Sequence, residues 1–371
     1  MTSPLRVLMT ADAVGGVWSY ALDLAAAIAP QAETTLVVLG PAPSPDQRLQ
    51  AAAVSGLTLI ETGLPLDWTA SELAEIRETG AAVRGLARRI DADLIHLNSP
   101  ALAADGGFCA PVLGACHSCL ATWWSAVRDG PMPEDFRWRT QALWRGLLAC
   151  DALVAPSRSF ADATARTYEI PSPLVVHNGR SAPPRGDSRP RERLVFTSGR
   201  LWDEGKNVSV LDAAAGLSGI PVYAAGPLEG PGGANRLALR HAHGLGRISA
   251  AAIGAWLARA PVYVTSALYE PFGLGVLEAA QAGCALVLSD IPTFRELWGD
   301  AAWFVDARDA AGFARAFEAL ARDRAEASRL GALAQARAQR FSVEAMSDGV
   351  RSIYRSLLAR TGAALRERAV A

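Results

Sequence analysis

The sequence predicts an α/β protein made of two doubly wound domains in tandem, and three observations carry that expectation. Short apolar strand patterns alternate with helical patterns through the first half of the chain, a Pro- and Arg-rich stretch without periodicity follows, and the alternation then restarts. Length agrees: 371 residues, 50% of them hydrophobic, exceed one ordinary core and suit two domains of common size.

The elements follow in order. "LRVLMT" (5–10) is a buried-strand pattern, "GGVWSYALDLAAAIAP" (15–30) a helix opening on glycines and stopped at Pro30, and "TTLVVLG" (34–40) the next strand, which together make one βαβ unit. A helical pattern near 69–90 precedes four short strands, "ADLIHLN" (92–98), "PVLGACH" (111–117), "DALVAPS" (151–157) and "SPLVVHNG" (172–179). "RSAPPRGDSRPRER" (180–193) reads as an interdomain connection whose arginines form a solvated face. Beyond it, "RLVFTSGR" (193–200), "PVYAAG" (221–226), "PVYVTS" (261–266) and "CALVLSD" (284–290) are strands, "NVSVLDAAAGL" (207–217) and "SAAAIGAWLARA" (249–260) are helices, and Ala- and Arg-rich helices run to the end.

Composition narrows the function. Thirty-six basic against 37 acidic residues leave a formal charge of -1, so no whole-protein field draws the chain to nucleic acid or anionic membrane, and any anion must be met locally. No basic leader feeds a continuous apolar run at the start, no later run is long enough to span a bilayer, and five cysteines are too few and too odd for a disulfide framework. The expectation is a cytoplasmic protein without a transmembrane segment.

In doubly wound folds ligands sit at the carboxyl ends of the parallel strands, where loops meet helix starts, so two such domains predict a site in the cleft between them. "LVFTSG" delivers Arg200, with Lys206 just before a helix, two cations suited to phosphate. "YEPFGLGVLEAAQAG" (269–283) delivers Glu270, Phe272, Gly273 and Leu274, then Glu278 one turn beyond Leu274 on the same helix face. Carboxylates are poor neighbours for phosphate and good acceptors for hydroxyls. Two of them around a phosphate-binding helix start suggest a ligand with diphosphate in the middle and a sugar at each end, Glu278 taking the nucleotide ribose and Glu270 the transferred sugar. The simpler alternative, glutamates tuned to a helix dipole, explains Glu270 but neither the glycines nor the two cations.

The stretch from Glu270 to Glu278 resembles the glutamate-x7-glutamate motif of the retaining nucleotide-sugar glycosyltransferases of family 4, the group with the GT-B fold. "GGVWSY" (15–20), "HNG" (177–179), "SGRLWDEGKN" (198–207) and "SDIPTFRELWGDAAWFVD" (289–306) are similar, in the same order, to that family's other signatures. The chain departs from it at His117-Ser118, where His-Asp is frequent, at Asn207, where glycine usually follows the lysine, and in "HNG" for "PNG".

The resemblance implies a GT-B architecture of two Rossmann-like doubly wound domains facing across a central cleft. It implies an acceptor-side domain at 1–180, a linker at 181–193, a donor domain at 194–345 and a helix at 346–371 crossing back to the first domain. It implies a hexosyltransferase (EC 2.4) that moves a hexose from a nucleotide-diphosphate sugar to a hydroxyl of a glycan, a lipid-linked or a small-molecule acceptor, with retention and without a metal or other cofactor. Gly15 and Gly16 would turn backbone amides toward the diphosphate and Arg200 and Lys206 would neutralise it. His117 would lie beside the donor sugar with Glu270, and Phe272, Gly273, Leu274 and Glu278 would complete the donor site.

Other features have plainer readings. Cys116 and Cys119 form a C-x-x-C without a second pair, so packing is the expectation. Asn207 of "NVS" opens a helix and reads as a cap or a ligand neighbour, and His96 and His177 read as hydrogen-bonded structural residues. Trp123 and Trp124, within the Trp-rich stretch 121–146, could stack on acceptor sugars, dip into a membrane surface, or belong to a helical pair packed on the first domain. Three rivals stand against transfer, of which a two-lobed binding protein shares the layout but would want an export signal and no Arg, Lys and paired-Glu set. An oxidoreductase lacks its G-x-G-x-x-G turn in "DAVGGVWS", whereas a GT-B protein without transferase activity, an epimerase, a phosphorylase or a nucleotide-sugar binding protein, shares the motifs.

Overall fold

A computed structural model describes residues 4–181, 191–230, 233 and 235–370, with side chains described as far as residue 361. Most of the linker expected at 181–193 therefore lies outside the described residues. The chain divides into two compact units, unit 1 of residues 1–125, 129–179 and 343–371, and unit 2 of 126–128 and 180–342.

Unit 1 runs β1 (Leu5–Asp12), α1 (Gly16–Ile28), β2 (Ala32–Leu39), α2 (Pro45–Ala52), β3 (Leu57–Glu61), α3 (Leu73–Arg89) and β4 (Leu94–Leu97). It continues with β5 (Val112–Ala115), α4 (Leu120–Val127), α5 (Glu134–Ala149), β6 (Ala152–Ala155), α6 (Arg158–Tyr168) and β7 (Leu174–Val175). Among the described residues its sheet has the order β3-β2-β1-β4-β5-β6-β7, parallel throughout. The strand order reverses between β1 and β4, so the loops after these two strands open the crevice in which doubly wound sheets bind ligands.

Unit 2 runs β8 (Val195–Ser198), α7 (Val208–Leu217), β9 (Val222–Ala225), β10 (His243–Gly246), α8 (Ala250–Arg259), β11 (Val262–Thr265) and α9 (Leu274–Gln281). It ends with β12 (Ala285–Ser289), α10 (Pro292–Trp298), β13 (Trp303–Val305), α11 (Ala310–Arg322) and α12 (Arg324–Ala338). Its parallel sheet has the order β10-β9-β8-β11-β12-β13, which reverses between β8 and β11. The expected strands and helices are present, the Trp-rich stretch forms the helices α4 and α5, and the structure adds α2, β3, α6, β10, α10 and β13.

The last helix, α13 (Val343–Val370), belongs to unit 1. Met346, Val350, Ile353, Tyr354 and Leu357 recur at helical spacing, and all five are buried in one cluster with Trp18, Ala21 and Leu24 of α1. No helix among the described residues is long and apolar enough to cross a membrane.

Of the arginines described at the two ends of the 180–193 stretch, Arg193 is exposed as expected, but Arg180 and Arg191 are partly buried and bonded, contrary to the sequence reading. The side chain of Arg191 donates to the carbonyls of Ala260 and Ala282, the latter at 2.5 Å, and reaches Cys284 Sγ at 3.5 Å. Arg180 pairs with Glu278. A guanidinium with five donors is well fitted to tie loop carbonyls that no strand or helix satisfies.

Candidate functional site

At the switch point of unit 2, two loops deliver the predicted cations and carboxylates to each other. The loop after β8 carries Arg200 and Lys206, and the loop after β11 carries Glu270 up to the start of α9. They are stitched together by backbone: the amides of Leu268 and Tyr269 both donate to the Gly205 carbonyl, at 2.8 and 3.2 Å. Ser266 Oγ donates to the Asn207 carbonyl at 2.8 Å, and Asn207 Nδ2 donates to the carbonyls of Ser266 (3.2 Å) and Ala307 (2.7 Å). Asn207 sits at φ 52, left-handed, and its side chain makes no cap bond to α7. It is a cross-loop tie rather than a cap, the first of the two expected readings, and asparagine suits it because it tolerates that backbone region.

This stitching brings Lys206 Nζ to 2.5 Å from Glu270 Oε2, with both side chains largely shielded from solvent. Arg200 donates to Asp203 at 3.0 Å, while Asp203 also accepts from the Gly205 amide at 2.9 Å, so the turn that carries Lys206 is fixed from inside. Glu278 lies one helical turn beyond Leu274 and accepts from Arg180 Nε at 3.0 Å and Nη2 at 2.9 Å. The predicted residues thus come together as two ion pairs, Lys206–Glu270 and Arg180–Glu278, and Arg180 is a member that sequence reasoning placed in solvent.

Gly273 precedes α9 at φ 92, where a side chain is strained, and a Cβ there would press to 3.2 Å from Phe294. Two residues on, a Cβ on Gly275 would meet the Tyr263 hydroxyl at 2.7 Å, so the helix start sits tightly on β11. That hydroxyl donates to the Ser198 carbonyl at 3.2 Å, joining the ends of β8 and β11, and burial pushes its pKa up. No side chain caps the start of α9, which leaves its first amides directed at the loop ends. The Phe272 ring, expected at the donor, is buried in the core against Phe341 at 5.6 Å, so its backbone is what it offers a ligand. Leu274 packs partly into the same core.

Unit 1 has a corresponding centre at its own switch point. Gly15 is the extended residue before α1, without a side-chain cap, and Gly16 is the first helical residue. Asn98, after β4, donates from Nδ2 to the Thr10 carbonyl at 2.7 Å, which turns its Oδ1 toward His117 Nε2 at 2.7 Å. Nε2 of His117 therefore carries the proton. His117 packs edge-on against Tyr20 at 4.5 Å, and burial lowers its pKa to about 4. His96 is fully buried, 2.6 Å from the Tyr354 hydroxyl through Nδ1 and 3.5 Å from that of Tyr20 through Nε2. Burial, with the nearby His117, takes its pKa to about 3. Both imidazoles are neutral at physiological pH, and they hold α1, β4, β5 and α13 to one another. His177 Nδ1 donates to the Pro156 carbonyl at 2.9 Å.

The remaining candidates make local contacts. Cys116 and Cys119 are buried free thiols whose pKa values burial raises, and Cys119 contacts Thr122 Oγ1 at 2.9 Å. No group of three or more His, Cys, Asp or Glu side chains among the described residues could hold a metal ion. Trp124 donates from Nε1 to the Gly130 carbonyl at 3.0 Å and meets Phe136 of α5 edge-on at 5.6 Å, while Trp123 is tilted beside it at 6.5 Å. This is how a packed helical pair is joined.

Comparison with known proteins agrees with this fold. The family described as Glycosyltransferase Family 4 matches residues 14–181, and that described as Glycosyl transferases group 1 matches residues 185–337. The phosphatidyl-myo-inositol mannosyltransferase of Mycolicibacterium smegmatis is 28% identical, covering 93% of this chain and 91% of its own. Among solved structures, sucrose-phosphate synthase from Thermosynechococcus elongatus superposes with a TM-score of 0.77 at 18% identity, covering 96% of this chain and 100% of its own. HepE of Anabaena, solved in complex with UDP-glucose, superposes with a TM-score of 0.74 at 17% identity, covering 95% and 100%.

Proposed function

Because the chain belongs to the family 4 GT-B glycosyltransferases, we propose that it moves a hexose, with retention of anomeric configuration, from a nucleotide-diphosphate sugar to a hydroxyl acceptor. The observation that carries this reading is the Lys206–Glu270 pair beside the uncapped start of α9, which puts a cation, a hydroxyl acceptor and helix-start amides at one switch point. Lys206 and Arg200 take up the charge that develops on the departing diphosphate, the largest electrostatic demand of the reaction. Glu270 accepts from hydroxyls of the transferred sugar and Glu278 from those of the ribose. Gly15 and Gly16 supply amides, and neutral His117, its Nε2 proton given to Asn98, accepts a hydrogen bond from a sugar hydroxyl at Nδ1 rather than supplying a proton. Phe272, Gly273 and Leu274 contribute backbone.

No side chain is assigned as a nucleophile. The acceptor attacks the face the diphosphate leaves from, and a donor phosphate oxygen takes the acceptor's proton, so the protein's part is positioning and charge stabilisation. The two arginine and lysine cations serve where other transferases use a metal. The mycobacterial relative makes mannose the first sugar and an inositol lipid the first lipid acceptor to try, and the HepE complex makes UDP-glucose the second donor.

The test is turnover with UDP-, GDP- and ADP-hexoses, following released nucleoside diphosphate and reading the anomeric proton of the product by NMR. An α-configured donor is expected to give an α-linked product. A β-linked product, or a kinetically competent sugar adduct on Glu270, contradicts the mechanism. Epimerised donor without transfer would favour the rival reading.

A further inference from the structure

We propose that Arg180 is a positioning residue of the donor site, fixing the Glu278 carboxylate in the rotation that receives the nucleotide ribose; this rests on the reading of Glu278 given above. Arg180 Nε and Nη2 both reach Glu278 Oε1, at 3.0 and 2.9 Å, with each side chain only 22% exposed. Two donors converging on one oxygen set the turn of the carboxylate about its last bond, which a single flexible ammonium does not do.

Arg180 is itself held. Its amide donates to the Phe341 carbonyl at 3.3 Å, and its carbonyl accepts from Gln281 Nε2 at 2.7 Å. Gln281 stands three residues beyond Glu278 on α9, so the same helix grips Arg180 by its backbone and is gripped by its guanidinium. A side chain anchored at both ends orders its partner at little further entropic cost, which is what a hydrogen-bond acceptor for a ligand needs. A purely structural ion pair would stabilise the protein without favouring ribose hydroxyls over their absence.

That difference is measurable. Calorimetric dissociation constants are to be compared for UDP, GDP and ADP and their 2′,3′-dideoxy forms, on the wild type, Arg180→Gln and Arg180→Lys. The wild type is expected to bind its preferred ribonucleotide at least about tenfold more tightly than the dideoxy form, about 1.4 kcal/mol. Arg180→Gln should lose most of that ratio while binding the dideoxy form as the wild type does, and Arg180→Lys should fall between. In turnover, Arg180→Gln should raise the donor KM and leave the acceptor KM unchanged.

A variant that keeps the full ribo-to-dideoxy ratio, whatever its affinity or melting temperature, overturns the inference and leaves the donor reading intact. If Arg180→Gln does not fold, Arg180→Lys carries the same comparison. A wild type that binds these nucleotides without distinguishing the dideoxy forms overturns the ribose role of Glu278, and with it this inference. A wild type that binds none of them overturns the functional reading itself.

Discussion

Lys206 Nζ lies 2.5 Å from Glu270 Oε2, joining the loop after β8 to the loop after β11 at the point where the strand order of unit 2 reverses. The pair is largely shielded, so each partner holds the other's charge in place.

Lys206→Ala leaves the Glu270 carboxylate without that cation and removes positive charge from the proposed leaving group. We expect kcat/KM to fall by about 10²–10³, the scale of losing one preorganised donor, and stability to drop by about 1–3 kcal/mol. Lys206→Ala combined with Glu270→Gln should regain part of the stability and none of the activity. Steady-state kinetics and urea denaturation check both halves.

The histidines of unit 1 set a pH dependence of stability rather than of rate. His96 and His117 have folded pKa values of about 3 and about 4, below the ordinary 6.5, so the unfolded chain binds protons that the folded one refuses. Their stabilising contribution is full above about pH 6.5 and is lost as pH falls toward 3. Urea midpoints should therefore drop steadily from pH 7 to 4, and His96→Gln should flatten the curve. Neither group should add a limb to the kcat profile between about pH 6 and 8.

Tyr354→Phe removes the hydroxyl 2.6 Å from His96 Nδ1 and leaves a buried ring nitrogen without that partner. The expected cost is about 1–3 kcal/mol with the denaturant m-value unchanged. Hydrogen exchange should accelerate first in α13, because this bond ties it to β4.

Trp124→Ala takes away the edge contact with Phe136 and the bond to the Gly130 carbonyl. We expect a loss of about 1–3 kcal/mol and an unchanged donor KM. If the acceptor KM rises several-fold while the melting temperature holds, the tryptophan faces the acceptor instead.

Much of this was legible in the sequence because parallel strands buried on both faces read as short apolar runs, and helices between them keep their period. What escaped is instructive. β10 is "HGLG" and β13 is "WFV", too short and too mixed to show a pattern, and pairing with β9 and β12 decides them. α2 did carry a signal, Ser44-Pro45 with Gln47 completing a capping box, in a stretch that its exposed polar face disguises. Glu270, Lys206 and Gly273 were visible through spacing and turn chemistry. Arg180 was not, because nothing local distinguishes an arginine in a Pro- and Arg-rich stretch from one that closes on a carboxylate 98 positions away. Asn207 shows the same limit, since its partners are carbonyls of two distant loops.

The most direct test of the central claim is a thermal-shift panel of UDP, GDP, ADP and dTDP with their hexose conjugates, on the wild type and on Glu278→Ala. Binding to the folded state raises the melting temperature by mass action, by about 2.7 kcal/mol of stability at a hundredfold excess over Kd. The account predicts a clear shift with one nucleotide and its sugar, lost or strongly reduced in the variant. No shift with any of them, or an equal shift in Glu278→Ala, would contradict it.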